Sequence, residues 1–96
     1  MNRNQLKYFV AAAESLSFTK AAEQFYISQT AVTQQIRQLE ETLACTLFDR
    51  STRPVTLTPA GKIFLVEAKA ILERMNRAMD RVQEALKASG TLRFTR

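Results

Sequence analysis

A chain of 96 residues that is 46% hydrophobic, with two glycines and two prolines, fits one small folded domain plus an extension and excludes a loop-rich or all-β design. Fourteen basic against nine acidic residues give a net charge of +5, which suits a polyanionic partner such as nucleic acid or an anionic membrane. With no histidine, a single cysteine, no glycine-rich phosphate loop and no nucleophile dyad, the sequence offers no enzyme chemistry, no cofactor or metal site and no intrachain disulfide.

The lone Cys45 lies between Leu43 and Leu47 and reads as a small apolar filler. Its solitude fits a reducing compartment. Met1–Lys7 is too polar for a signal peptide, and residues 60–88 are too charged to span a bilayer, so the expected location is the cytoplasm. The charge is uneven: residues 1–58 carry a net +1 and residues 59–96 a net +4. Most of the basic excess therefore lies beyond residue 58.

Residues 4–15 are expected to form a helix, because Leu6, Phe9, Val10 and Ala13 follow the i, i+3, i+4, i+7 rule. Asn2 or Asn4 suits its N-cap. A short second helix is expected over 18–25, capped by Ser17 or Thr19, with Ala21 and Ala22 small enough for close helix packing and Phe25 and Phe18 turned to the core. Residues 26–28 form a turn in which Ile27 plugs the angle between helices and Ser28 caps the next one. A third helix over 29–43 carries the apolar stripe Ala31, Val32, Ile36, Leu39 and Leu43. Gln29, Thr30, Thr33, Gln34 and Arg37 fall largely on its opposite face. Glu40 and Glu41 come late, where negative charge sits badly against DNA, so the N-terminal half is the part expected to approach bases.

Residues 46–58 read as a hairpin, with TLFDR and VTLT as short β-rich runs and STRP as the turn. So short a hairpin must pack on the helices as a wing. A long fourth helix is expected over 59–88, with Thr58 as N-cap and Pro59 at the first helical position. Phe64, Ala68, Ile71, Met75, Ala78, Val82 and Ala85 recur at alternating steps of four and three, which is a heptad seam. Leu65, Leu72, Met79 and Leu86 widen it. Gly90 marks the expected stop, and residues 91–96 (TLRFTR) alternate like the first strand of a further domain.

Short helix, turn and longer helix with exposed amides and hydroxyls is the layout of a helix-turn-helix. Amides bond adenine, Arg bonds guanine and a Thr methyl meets the thymine methyl. Gln29, Thr30, Thr33, Gln34 and Arg37 supply those groups. Arg50 and Arg53 at the hairpin could reach the minor groove or its phosphates, unless Arg50 is taken by Asp49 or a glutamate. Thr19 and Lys20 at the start of the second helix could bind phosphate. The heptad helix could pair two copies, lie on a membrane or fold back on its own core. The alternation of Ala with larger residues favours pairing. A protein-interaction module is the rival class, but the 29–37 face lacks the aromatic anchors such a surface needs.

The runs QLKYFVAAAESLSFTKAAEQFYISQTAVTQQIRQLEETL and LFDRSTRPVTLTPAGK, followed by the long helix, resemble the N-terminal DNA-binding domain of LysR-type transcriptional regulators. The resemblance covers about residues 4–90. It implies a mainly α fold: a winged helix-turn-helix of three helices plus a two-stranded wing over 1–58, then a dimerisation helix over 59–90 that pairs antiparallel with its twin. It also implies double-stranded DNA as partner, no membrane, and bacterial transcriptional control as a homodimer. A small-molecule effector and a tetramer would belong to a following domain that begins at 91–96. The family's base-reading positions correspond to Gln29, Thr30, Thr33 and Gln34, with Ser28 and Arg37 adjoining. Its wing contact corresponds to Arg53, with Arg50 second, and its phosphate contacts to Thr19 and Lys20. Thr30 stands where many relatives have Pro, Thr33 where many have Ser, and Gln34 where many have Arg. The last change removes a charge from the reading face.

Overall fold

The computed structural model describes residues 1–89. Three short helices come first: α1 (Arg3–Ser15), α2 (Phe18–Phe25) and α3 (Gln29–Leu43). A hairpin of β1 (Phe48–Asp49) and β2 (Thr56–Leu57) follows, and α4 (Pro59–Ser89) is the last element of the described residues. The stop expected at Gly90 and the strand expected over 91–96 lie outside the described residues.

Each short helix starts on a side-chain cap that satisfies a free backbone N–H. Asn2 Oδ1 accepts from Gln5 N–H at 2.9 Å, Ser17 Oγ from Lys20 N–H at 3.0 Å, and Ser28 Oγ from Ala31 N–H at 3.0 Å. Each also ends on a non-glycine residue in the left-handed region: Leu16, Tyr26 and Ala44. That conformation costs an L-residue roughly 1–2 kcal/mol. It is offset by backbone bonds to the last carbonyls of the helix, as from Leu16 N–H and Ser17 N–H to Ala12 O.

The core gathers on Phe9 of α1, which is fully buried. Its ring meets Phe48 of the hairpin at 5.5 Å and Phe64 of α4 at 5.3 Å. Val32, Ile36 and Leu39 of α3 are fully buried as the 3.6-residue period requires. Phe18 is half-buried and meets Phe48 edge-on at 5.0 Å, and Phe25 meets Tyr8 in the same way at 5.1 Å.

Only two residues pair on each strand, Phe48 with Leu57 and Asp49 with Thr56. The hairpin is shorter than the β-rich runs because its stability comes from the helices. Leu47 and Phe48 sink into the core. Thr58 N–H donates to Leu47 O at 3.0 Å, while Thr58 Oγ1 donates to Thr46 O at 2.7 Å and accepts from Gly61 N–H at 3.0 Å. Thr58 thus caps α4 and ties it to the hairpin. Gly61 permits the approach, since a Cβ there would overlap the Leu47 carbonyl oxygen.

Two expectations about buried apolar residues need correction. Cys45 is exposed and fills nothing. Ala44 turns the chain left-handed, and Leu47 enters the core instead. The heptad seam also divides. Phe64 and Ala68, its first two positions, belong to the chain's own core; Ala68 has no exposed surface and Phe64 packs on Phe9. Leu65 and Leu72 lie against the same core. Beyond Leu72 the helix leaves the body: Met75, Met79 and Val82 are 36%, 50% and 58% exposed. At 31 residues and 1.5 Å per residue α4 runs for about 46 Å, too long for so small a body to cover. Ile63 and Val66 are exposed as well, off the seam. Two polar contacts tether α4 to α1: Arg3 donates to Asn76 Oδ1 at 2.9 Å and Lys69 pairs with Glu14 at 2.8 Å.

Candidate nucleic-acid interface

Helix α3 displays what its core stripe leaves outside. Gln29, Thr30, Gln34 and Arg37 are exposed and Thr33 is half-buried. Ser28 sits just ahead of them, its hydroxyl occupied in capping the helix. These amides, hydroxyls and the guanidinium run along residues 29–37, starting at the helix N-terminus, where the backbone dipole favours a negative partner.

Helix α2 supports that end. Thr19 and Lys20 are exposed in its first turn. The Thr19 hydroxyl donates to Gln29 Oε1 at 3.1 Å, which joins the candidate phosphate-binding residue to the first candidate base-reading residue. Lys20 leaves its ammonium in solvent while its backbone N–H serves the Ser17 cap.

The hairpin stands across from α3. Gln29, Thr33 and Arg37 form one wall of an open groove, and Arg50, Thr52 and Arg53 form the other. Arg53 is exposed at the hairpin tip, where the Arg53–Pro54 peptide is cis. Just below it the Ser51 hydroxyl and backbone N–H both donate to Asp49, and they hold its carboxyl below the usual value.

Arg50 does not share the tip. Arg50 lies in the turn just after β1 and points back toward α3 rather than outward. Its guanidinium lies 3.2–3.3 Å from the Glu40 carboxylate and 5.4 Å from the centre of the Phe18 ring. The glutamate alternative holds for Arg50, and its charge is already matched inside the protein.

Glu40 has a role that the sequence reading did not assign. Read with Glu41 only as a late acid unfavourable to DNA, it is 8% exposed. Its Oε2 accepts from Leu47 N–H at 2.7 Å and Phe48 N–H at 3.3 Å, as well as from Arg50. One carboxylate thus fixes the start of the hairpin to the C-terminal half of α3. The available signal was its spacing: Glu40 stands four residues after buried Ile36 and next to buried Leu39, on the edge of the core stripe. With Arg50 paired to Glu40, Arg37 and Arg53 are the exposed basic residues of the groove.

Among the described residues no cluster of three His, Cys, Asp or Glu side chains could hold a metal ion, and no helix is long and apolar enough to cross a membrane.

This geometry is shared with known proteins. Residues 3–62 match the family of bacterial regulatory helix-turn-helix proteins of the lysR type. The chain is 45% identical over 95 residues to the transcriptional regulator TfdT of Cupriavidus pinatubonensis (strain JMP 134 / LMG 1197), an alignment covering 98% of this chain and 42% of TfdT. It therefore spans less than half of that relative. The DNA-binding domain of BenM, solved in complex with benA site 1 DNA, superposes with a TM-score of 0.85 at 38% identity, covering 88% of this chain and 96% of that one. The CbnR DNA-binding domain in its DNA complex superposes with a TM-score of 0.84 at 42% identity, covering 88% and 98%. With its winged helix-turn-helix and its match over most of the chain, this protein belongs to the lysR family of bacterial regulatory helix-turn-helix proteins.

Proposed function

We propose that the chain is a sequence-specific, double-stranded-DNA-binding unit of a bacterial transcriptional regulator that acts in the cytoplasm as a homodimer, without enzymatic activity. The observation that carries this reading is the outward display of Gln29, Thr30, Thr33, Gln34 and Arg37 along residues 29–37 of α3, with Gln29, Thr33 and Arg37 lining one open groove opposite Arg53. In the major groove these side chains would meet base edges: amides on adenine, Arg37 on guanine, Thr methyls on thymine. Arg53 would enter the adjoining minor groove or hold its phosphates. Thr19 and Lys20 would grip the backbone beside the helix N-terminus. Arg50, paired with Glu40, holds the wing in place and makes no direct contact. The DNA complexes of the BenM and CbnR domains support this reading.

Pairing would use the exposed positions of the α4 seam: Ile71, Met75, Ala78, Val82 and Ala85, with Met79 beside them. Dimeric binding sets two reading helices on successive major grooves. Selection from a pool of random duplexes tests the whole reading. Enriched sequences should converge on an inverted repeat whose half-sites lie about one helical turn, or a multiple of it, apart. A pool that stays random after repeated rounds would remove base reading. A single unrepeated half-site would remove the dimer.

A further inference from the structure

Gln5 of α1 is 5% exposed, and of the described residues it and Glu40 are the two polar ones buried among apolar side chains. Its Nε2 donates to Gln35 Oε1 at 3.1 Å and to Gln38 Oε1 at 3.3 Å, both on α3. Its own Oε1 is buried and has no partner. A half-satisfied buried amide is a poor source of stability, because an orphaned polar atom carries its full desolvation cost. An apolar side chain of the same length would fill the space without that cost.

What the amide does supply is direction. The contacts of Val32, Ile36 and Leu39 hold α3 against the core, but apolar contacts tolerate a small roll of the helix about its axis. A roll of roughly ten degrees moves a side-chain tip at the helix surface by about 1 Å. Hydrogen bonds weaken with such a shift and so oppose it. Helix α3 is pinned by them on two flanks: Glu40 is bonded to the hairpin on one, and Gln35 and Gln38 are bonded to Gln5 on the other. Thr30, Thr33, Gln34 and Arg37 lie on the outer arc between these flanks.

We infer that Gln5 is a positioning residue for base reading: by holding Gln35 and Gln38 it sets the rotation of α3, and with it the aim of the side chains that face the bases. The inference rests on the DNA-reading role proposed above. Gln5 touches no DNA and sits on a different helix from the reading residues.

The test compares affinities for two duplexes: one enriched by the unchanged chain from a random pool, and a scrambled one of equal composition. Gln5→Met keeps the length and apolar volume and removes the amide. Its melting temperature should equal or exceed that of the unchanged chain. Its affinity for the scrambled duplex should also hold, since that depends on charge. The ratio between the two duplexes should fall by about tenfold, the scale of one misaimed base contact. Gln35→Leu combined with Gln38→Leu should lower the ratio equally, and adding Gln5→Met should lower it no further. If Gln5→Met does not fold, the double α3 variant reads the same ratio in its place. A folded variant with an unchanged ratio overturns the inference and leaves the DNA-reading role intact. Equal loss on both duplexes, with a lowered melting temperature, also overturns it by showing a merely structural role. An unchanged chain with no preference for any duplex removes both readings.

Discussion

The Thr19 hydroxyl donates to the Gln29 side-chain carbonyl across the helix-turn-helix, at 3.1 Å. The bond fixes how the first exposed amide of α3 is presented before any partner arrives. Holding a side chain in advance reduces the ordering cost of binding. Gln29→Ala is therefore expected to weaken the enriched duplex by about 1–3 kcal/mol, as for a lost bidentate base contact. Thr33→Ala should act in the same direction. Thr19→Val, which keeps the shape but removes the donor, should cost less, about 0.5–1.5 kcal/mol. Equilibrium titrations on enriched and scrambled duplexes separate these effects: the Gln29 and Thr33 variants should lose preference, not general affinity.

Arg53 and Arg50 are near neighbours in the chain and should behave differently. Arg53 is exposed at the wing tip, so Arg53→Ala should weaken all duplexes and lower the slope of log affinity against log salt by about 0.9 for each protomer bound. Arg50 is matched to Glu40, so Arg50→Ala should lower the melting temperature first. A salt slope that Arg50→Ala lowers as much as Arg53→Ala would show that Arg50 meets phosphate after all.

Glu40 should be a stability residue. Glu40→Ala leaves the Leu47 and Phe48 N–H groups and part of the Arg50 charge without an acceptor near the core. The expected loss is about 2–4 kcal/mol, discounted for the partial exposure of Arg50. Denaturant titration reads it directly. Glu41→Ala, on an exposed neighbour, should change stability by less than about 0.5 kcal/mol.

Gly61 tests the seam between hairpin and linker helix. Alanine inside a helix normally gains up to about 1 kcal/mol over glycine. Here its Cβ would overlap Leu47 O, a backbone atom held by Thr58 N–H, so the collision cannot relax cheaply. Gly61→Ala should destabilise the chain by about 1–3 kcal/mol instead. A gain in melting temperature would mean that the hairpin yields.

Division of the heptad seam makes two substitutions diverge. Val82→Asp places a charge on the exposed part of α4 and should abolish pairing while the body stays folded. Ala68→Asp places the same charge in the core and should unfold the body. Sedimentation and circular dichroism on both variants distinguish the two halves. A dimeric Val82→Asp would move the pairing surface elsewhere.

Much of the fold was legible because its signals are local. The 3.6-residue stripe placed Phe9, Val32, Ile36 and Leu39, and Ser17, Ser28 and Thr58 announced three helix starts. The exposed face of α3 followed from the same periodicity. Hidden from the sequence were the features that depend on contacts between distant elements. The heptad period continues unbroken through Ala68 and Val82, yet one meets the chain's own core and the other solvent. Periodicity reports a face, not what covers it. Glu40 and Gln5 were missed for a related reason: a polar residue at the edge of a stripe reads as exposed until its partners, here Leu47 N–H and the Gln35 and Gln38 amides, are brought to it by the fold.

Base reading by α3 is the central claim, and its most direct test is a fluorescence anisotropy titration of the unchanged chain at several salt concentrations, on the enriched duplex and its scrambled counterpart. The prediction is a steep salt slope on both and an affinity ratio of about a thousand or more between them at physiological salt. Equal affinity for the two duplexes at every salt concentration would contradict it, and would reduce the exposed face of α3 to a contact with the DNA backbone alone.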